Sequence, residues 1–575
     1  MSGTDGIPAD EVGIVVGHES ATSQRFAVVV HEGRSLAVDD IVAVTTPDPA
    51  GAVTAYGVVA EAHARLEGAS LPSDTQVIAA GEMPGEVART AEVQVVRVDP
   101  ERWIAPHPGL PVRLARGGER ARALYEDTMA RRLAVGVAAD GRPVHLDLDF
   151  VDGTKGGHVS ISGISGVATK TSTALALVRL LLEHPDMRRR TRVLIFNVKG
   201  EDLLHLDRPN AAYAARADRA ALDARWRALG LDDPGPFPRI ATWAPPRPDD
   251  PAIPHVGRAQ RPGLRSFGWT PLRFARDGLL RFCFTDASDM RGNLSFAVEQ
   301  MERELARQAV EVPGHPGSLA LADHPGVRFD DLDGLVDWIT GLIDDEDWTA
   351  SAEGRRWVGR AAPGTLLALG RRLHAAAHRL RGLVRAGATP IPRGPDARDE
   401  PPVSVVHLTP LHEFAQRFVV GMLLAQTFAA KEAGTRDPID FVVLDELNKY
   451  APREGWSPIK ETLVDIAQRG RSLGVILVGA QQQASLVAPE ITQNAAVRLS
   501  GRLDPAEAER PEYGWLTPAA RARARLLMQG RMMVSQPSVP TSLAVELPFP
   551  PWATREGEVA ADEGAARAVT TFGRR

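Results

Sequence analysis

The chain has 575 residues, 44% hydrophobic and 24% charged, the balance of a soluble globular protein, and that length holds roughly three to four domains. Its formal net charge of −6 excludes a uniformly basic nucleic-acid coat, so any DNA contact has to come from a local basic lining. The single cysteine, Cys283, excludes an internal disulfide and a cysteine-based metal site. The opening MSGTDGIPADEVG lacks the basic and apolar regions of a signal peptide, and the apolar runs are too short to span a bilayer. A cytoplasmic chain with no membrane partner is expected.

Short β-favouring runs fill residues 12 to 150: Val12–Val16, Phe26–Val30, Ile41–Val44, Tyr56–Ala60, Gln76–Ala79 and Val93–Val98. Gly, Pro and Asp separate many of them, the rhythm of a small barrel or sandwich. Val144–Phe150 alternates and leads into an Asp152-Gly153 turn. No catalytic constellation falls here, and residues 1–150 read as a docking module.

The next stretch organises the rest. His158 to Ser172 runs HVSISGISGVATKTS, a short apolar-alternating run, a glycine loop, then Lys-Thr-Ser. Thr173–Leu182 follows as a helix, apolar nearly all round and therefore buried. Strand, glycine loop, lysine, hydroxyl and helix form a cradle for polyphosphate. Backbone N–H groups face the anion, the lysine adds a point charge, and the hydroxyl can hold Mg²⁺. The Walker A pattern places glycine directly before the lysine. Here Thr169 stands there, and Gly163 and Gly166 fit a loop one residue longer. An ordinary strand–turn–helix is the alternative.

Lysine usage bears on that choice. Among 67 Lys and Arg residues only six are lysine: Lys155, Lys170, Lys199, Lys431, Lys449 and Lys460. In an arginine-using chain, a lysine marks a place where a compact ammonium is needed, as in a phosphate cradle. Lys170, Lys199 and Lys449 all follow apolar strand-like runs, where ligands gather in an open α/β sheet. Chance clustering is the competing account.

Val193–Val198 reads as a buried parallel strand ending in the polar Lys199-Gly200-Glu201-Asp202. Between about 207 and 400 the βα rhythm is lost. Pro234–Pro262 reads as an irregular loop, and helical patterns follow at Leu294–Arg307, Leu332–Ile343 and Leu366–Val384. The region is expected to be a mainly helical insertion. The sheet resumes with strand Val403–Leu408 and helix Phe418–Lys431. Phe441–Leu444 then ends in Asp445 and Glu446, a Walker B form. Asp445 would hold the metal shell and Glu446 would orient or deprotonate water. An acid pair opening a turn would look the same. Ile459, Thr462, Leu463, Ile466 and Ala467 share one helical face, and Val475–Gly479 is a further buried strand ending near Gln481. A glutamine there can sense the γ-phosphate or be a neutral strand end. Pro548–Trp552 reads as a rigid extended brace, with a disordered tail beyond about 553.

GHVSISGISGVATKTS, VLIFNVKGED, FVVLDELNKY and DIAQRGRSLGVILVGAQQQ through APEITQNAAVRLSGR together resemble the HerA-like (DUF87) branch of the HerA/FtsK superfamily of P-loop ATPases. The resemblance implies an α/β fold: a RecA-like P-loop ATPase core (151–206 and 401–547) with an N-terminal β-barrel (1–150), a helical insertion (207–400) and a C-terminal brace and tail (548–575). It implies hexameric rings that move double-stranded DNA with ATP and Mg²⁺, with a NurA-like nuclease docked on the barrel face. It also implies that Gly163, Ser165, Gly166, Val167, Ala168, Thr169, Lys170, Thr171, Ser172 and Lys199 surround the nucleotide. Thr171 and Asp445 would serve the metal, Glu446 would be the catalytic acid and Gln481 the sensor. Arg469, Arg471 and Arg498 are candidate trans arginines, undistinguished from one another. The lengthened loop leaves the metal between Thr171 and Ser172 and leaves room for weak or absent hydrolysis.

Overall fold

Alternating apolar residues between Glu11 and Leu114 close into a six-stranded barrel of order β1-β2-β5-β4-β3-β6. Its strands are β1 (Glu11–Val15), β2 (Arg25–Val30), β3 (Ile41–Thr46), β4 (Val53–Leu66), β5 (Val87–Asp99) and β6 (Pro111–Leu114). Period-two placement puts Phe26, Val28, Val42, Val44, Val93 and Val112 inside. The computed structural model describes residues 8–166, 169–200, 202–257, 261–284 and 293–559. By internal contacts the chain forms two units. Met1–Phe150, Gly163–Thr169 and Val497–Pro548 form the first, and Val151–Ser162, Lys170–Ala496 and Phe549–Arg575 the second.

In the first unit, Gln76–Ala79 lies within a helix, Pro72–Ala79, rather than in the expected strand. Pro72 sits in its first turn, and Asp74 Oδ2 accepts from the backbone N–H of Ser70 and Leu71, both at 2.8 Å. These start signals outweigh the β-favouring Val77 and Ile78. Beside the barrel, Val497–Ser500, Arg531–Gln536, Val539–Glu546, Arg132–Val137 and Pro143–Asp147 pair antiparallel in that order. Buried Gln536 fixes this pairing, accepting from Asp147 N–H at 2.8 Å and donating to the His145 carbonyl at 2.7 Å.

The second unit is a parallel sheet. Its strands are β7 (Val159–Ser162), β8 (Thr191–Asn197), β9 (Ile240–Ala244), β10 (Arg265–Ser266), β11 (Val403–His407), β12 (Ile439–Leu444) and β13 (Val475–Gln481). Their order is β10-β9-β11-β8-β12-β13-β7. Every residue of β12 and β13 is buried, as unbroken apolar runs require when helices cover both faces. Helices α1 (Lys170–Glu183), α2 (Glu413–Glu432) and α3 (Pro458–Asp465) supply cover. Ile240–Ala244 corrects the reading of Pro234–Pro262 as wholly irregular. Five residues flanked by prolines are too short a run to declare themselves.

The insertion contains helices Asn293–Gln308, Leu332–Ile343 and Pro363–Arg379, and also a three-stranded antiparallel sheet over Ala309–Val312, His315–Leu321 and His324–Phe329. Leu335, Ile339, Leu366, Leu369 and Leu373 belong to the same buried cluster as Phe196, Val406, Leu423 and Leu444 of the parallel sheet and its cover. Within the second unit, Trp552 makes edge contacts at 5.4 Å with Trp226 and Phe237, and Trp226 Nε1 donates to the Phe549 carbonyl at 2.9 Å. The brace thus packs on its own chain. Residues 553–559 continue it, and 560–575, where the tail was expected, lie outside the described residues. Among the described residues, no helix is long and apolar enough to cross a membrane.

Candidate functional site

The carboxyl ends of β8, β12, β13 and β7 reach one edge of the parallel sheet. Phe196 pairs with Leu444, Leu444 with Gly479, and Gln481 with Ser162. That edge is where open parallel sheets gather ligands. Helix α1 starts there at Lys170 and runs 14 residues, so its amino terminus, the positive end of its dipole, faces the same edge.

Asp445 and Glu446 follow β12 directly. Glu446 adopts left-handed backbone, φ 55° and ψ 45°, an uncommon conformation for a residue with a side chain. Thr171 donates from Oγ1 to Asp445 Oδ2 at 3.2 Å, joining the start of α1 to the acid pair. Lys199, just beyond β8, stands 2.6 Å from Glu446 Oε1 and 3.7 Å from Asp445 Oδ2. Lys449 Nζ lies 2.5 Å from Glu446 Oε2, and Gln482 Nε2 donates to Glu446 Oε1 at 3.4 Å. Burial pushes the Glu446 carboxyl up, but Lys199 and Lys449 together outweigh it and hold the group below the usual glutamate value. The Lys170 side chain is buried, which pulls its ammonium below the ordinary lysine value. The Asp445 charge opposes that shift and Lys199 adds to it.

The remaining candidates fall in several places. Gly163, Ser165, Gly166 and Thr169 group with the first unit, where Ile164 N–H donates to the Arg502 carbonyl at 2.8 Å. Gly166 takes φ 81°, which glycine adopts without strain. Val167 and Ala168 lie outside the described residues. Ser172 is half-buried on the first turn of α1. Gln481 is wholly buried, and its amide donates to Ser160 at 2.8 Å and Ser162 at 3.3 Å. Its neighbour Gln482 is the glutamine that reaches the acid pair.

Arg469 and Arg471 lie at the amino end of β13, so a seven-residue strand separates them from the edge that bears the acids, roughly 20 Å. Arg469 pairs with Glu432 at 3.1 Å and covers the Phe428 ring at 5.0 Å, and Arg471 donates to the Lys155 carbonyl at 2.5 Å. Arg498, in the first unit, is half-buried, and burial lowers its guanidinium from the ordinary arginine value.

Lys449 stands out in the sequence by residue type but was given no role there. Its place three residues after Glu446, one helical turn on, is the signal that links them. Gln482 carries no such signal.

Hard cations take oxygen ligands. The Thr171 hydroxyl and Asp445 carboxylate converge within 3.2 Å, a donor set suited to Mg²⁺. With a triphosphate at the α1 N-terminus, such an ion would neutralise charge on the phosphates. Lys170 would add a fixed cation, and Glu446 would hold water.

No family model matches the chain, and no curated protein matches it. Among solved structures, it is similar to the bacterial conjugative coupling protein TrwB at 14% identity, covering 76% of this chain and 93% of that one, with TM-score 0.46. It is similar to VirB4 of Thermoanaerobacter pseudethanolicus at 14% identity, covering 73% and 98%, with TM-score 0.41. The genome packaging NTPase B204 from Sulfolobus turreted icosahedral virus 2 matches at 11% identity over 26% of this chain and 70% of its own, with TM-score 0.20. Likenesses of this size assign no activity to the chain.

Proposed function

We infer that the chain is a P-loop ATPase that moves double-stranded DNA, a HerA-type motor built on a RecA-like core and working as a hexamer with a nuclease on its barrel. The observation that carries the reading is the meeting of Lys170 and Thr171, at the start of α1, with Asp445 and Glu446 at the end of β12. Four residues from two distant stretches of sequence converge at the ligand edge of a parallel sheet, each with the chemistry that phosphoryl transfer needs. DNA as cargo, the ring and the nuclease rest on the family resemblance of the motifs.

The test separates binding from chemistry. Lys170→Ala should weaken ATP binding at least about tenfold, the loss of one charge-assisted contact to phosphate. Glu446→Gln keeps the shape and removes the charge, so ATP affinity should persist while phosphate release falls by about two orders of magnitude or more. Unchanged ATP affinity in the lysine variant would remove the nucleotide assignment. A second reading, a nucleotide-gated ring that scaffolds an effector with little turnover, draws on the engagement of both Glu446 oxygens by ammonium groups. It predicts wild-type phosphate release near background, unchanged in Glu446→Gln.

A further inference from the structure

Lys199 has a fastened backbone and a half-exposed head held by ion pairs alone. The Gly200 carbonyl accepts from Thr409 Oγ1 at 2.6 Å, and the Asp202 carbonyl accepts from Asn197 Nδ2. The Asp202 carboxylate in turn pairs with Arg555 at 2.6 Å. These contacts fix the turn at the end of β8. Beyond it the Lys199 side chain is 42% exposed, and its ammonium faces the two carboxylates of the acid pair. Lys449 differs: it comes from the same turn as Glu446, and among the described residues it pairs with that residue.

An ammonium on a flexible four-carbon stem, fixed at its root, goes to the strongest anion within reach. Among the described residues the carboxylates beside it are Asp445 and Glu446, and the terminal phosphate of a nucleotide seated at Lys170 would join them. A triphosphate presents a third phosphate toward the acid pair, and a diphosphate does not. We propose that Lys199 exchanges Glu446 for the γ-phosphate and is thereby the residue that distinguishes ATP from ADP, while Lys449 remains the standing partner of Glu446. The exchange removes one ammonium from Glu446 Oε1, which then has room beside the Gln482 amide to accept a hydrogen bond from water when a triphosphate is present. The inference rests on the nucleotide-site reading and assigns within it the residue that reads phosphate number.

Calorimetric titration of the full chain with Mg²⁺ and either ADP or the non-hydrolysable analogue AMPPNP tests the exchange. Lys199→Ala should weaken AMPPNP binding about ten- to a hundredfold and leave ADP within about twofold, as expected for one lost charge-assisted hydrogen bond. Lys199→Arg should recover part of the AMPPNP affinity. Lys449→Ala should leave the ratio of the two affinities within about twofold of wild type. Equal weakening of both ligands by Lys199→Ala, or no weakening of either, overturns the proposal. So does a Lys449→Ala ratio shifted as far as that of Lys199→Ala. Failure of the wild-type chain to bind either nucleotide removes the site itself and this inference with it.

Discussion

His158 enters β7 with φ 64°, left-handed backbone that a side chain adopts only under constraint. The constraint is its ring, whose Nδ1 accepts from Leu477 N–H at 3.0 Å inside the sheet. Burial lowers its pKa from 6.5 to about 4, the Ala467 carbonyl pulling the other way and Arg471 adding to the fall. The folded chain therefore keeps the ring neutral where the unfolded chain protonates it. Below pH 6.5 the unfolded state binds the extra proton, so stability declines as pH drops toward 4. The total is about 3 kcal/mol. His158→Asn, which tolerates left-handed backbone, should flatten that part of a plot of Tm against pH. An unchanged slope would remove His158 as its source. At this scale the place of the acid pair was legible because the unbroken apolar run before it marks a buried strand whose end it occupies. The contact of Gln482 with Glu446 was not, because successive strand side chains point to opposite faces and which glutamine faces the acids turns on where β13 ends. It runs through Gln481, whose amide is taken by Ser160 and Ser162.

The element before β13 is built to a tight specification. Helix α3 passes into a π-helical turn at Ile466–Gly470, which carries Arg469, then into Arg471–Leu473, and stops at Gly474 with φ 84°. A Cβ at Gly474 would lie 2.2 Å from the Arg436 carbonyl oxygen, a backbone atom with no room to yield. Gly474→Ala should destabilise the chain by at least about 2 kcal/mol, combining left-handed backbone with a steric clash. Gly341→Ala, within helix Leu332–Ile343 and in open space, should instead be neutral or stabilise by up to about 1 kcal/mol. Thermal melts of both variants check the contrast, and equal Tm values would remove the steric argument. Long periodic elements such as Leu332–Ile343 were readable end to end. The short ones were not: Ile240–Ala244 pairs with Val403–Val406 far along the chain, and the strands of 309–329 are brief hairpins set between longer helices. Gln76–Ala79 shows the converse, with local capping overriding β propensity.

At the scale of the molecule, Arg469 and Arg471 sit at the amino end of β13 and the acid pair at the opposite edge of the same sheet. Neither arginine serves the acids of its own chain by this geometry, so a role in chemistry requires a second copy. An arginine supplied in trans is worth on the order of 10³–10⁵ in rate, against under about 1 kcal/mol for an exposed cation at a helix end. Arg469→Ala and Arg471→Ala should each be mixed with Lys170→Ala. A rise in ATPase activity on mixing two inactive proteins is the expected outcome for the arginine that crosses the interface. Near-wild-type activity of both arginine variants, proportional to concentration down to monomers, would leave them as local supports for Phe428, Glu432 and Lys155.

The scarcity of lysine has a consequence for anyone handling the protein. Of six lysines, Lys170 and Lys431 are buried, so acylating reagents meet Lys155, Lys199, Lys449 and the partly covered Lys460. Half of those reactive amines face Glu446. Coupling the chain to a resin or a dye through its lysines therefore modifies the edge that bears the acid pair as well as Lys155 and Lys460.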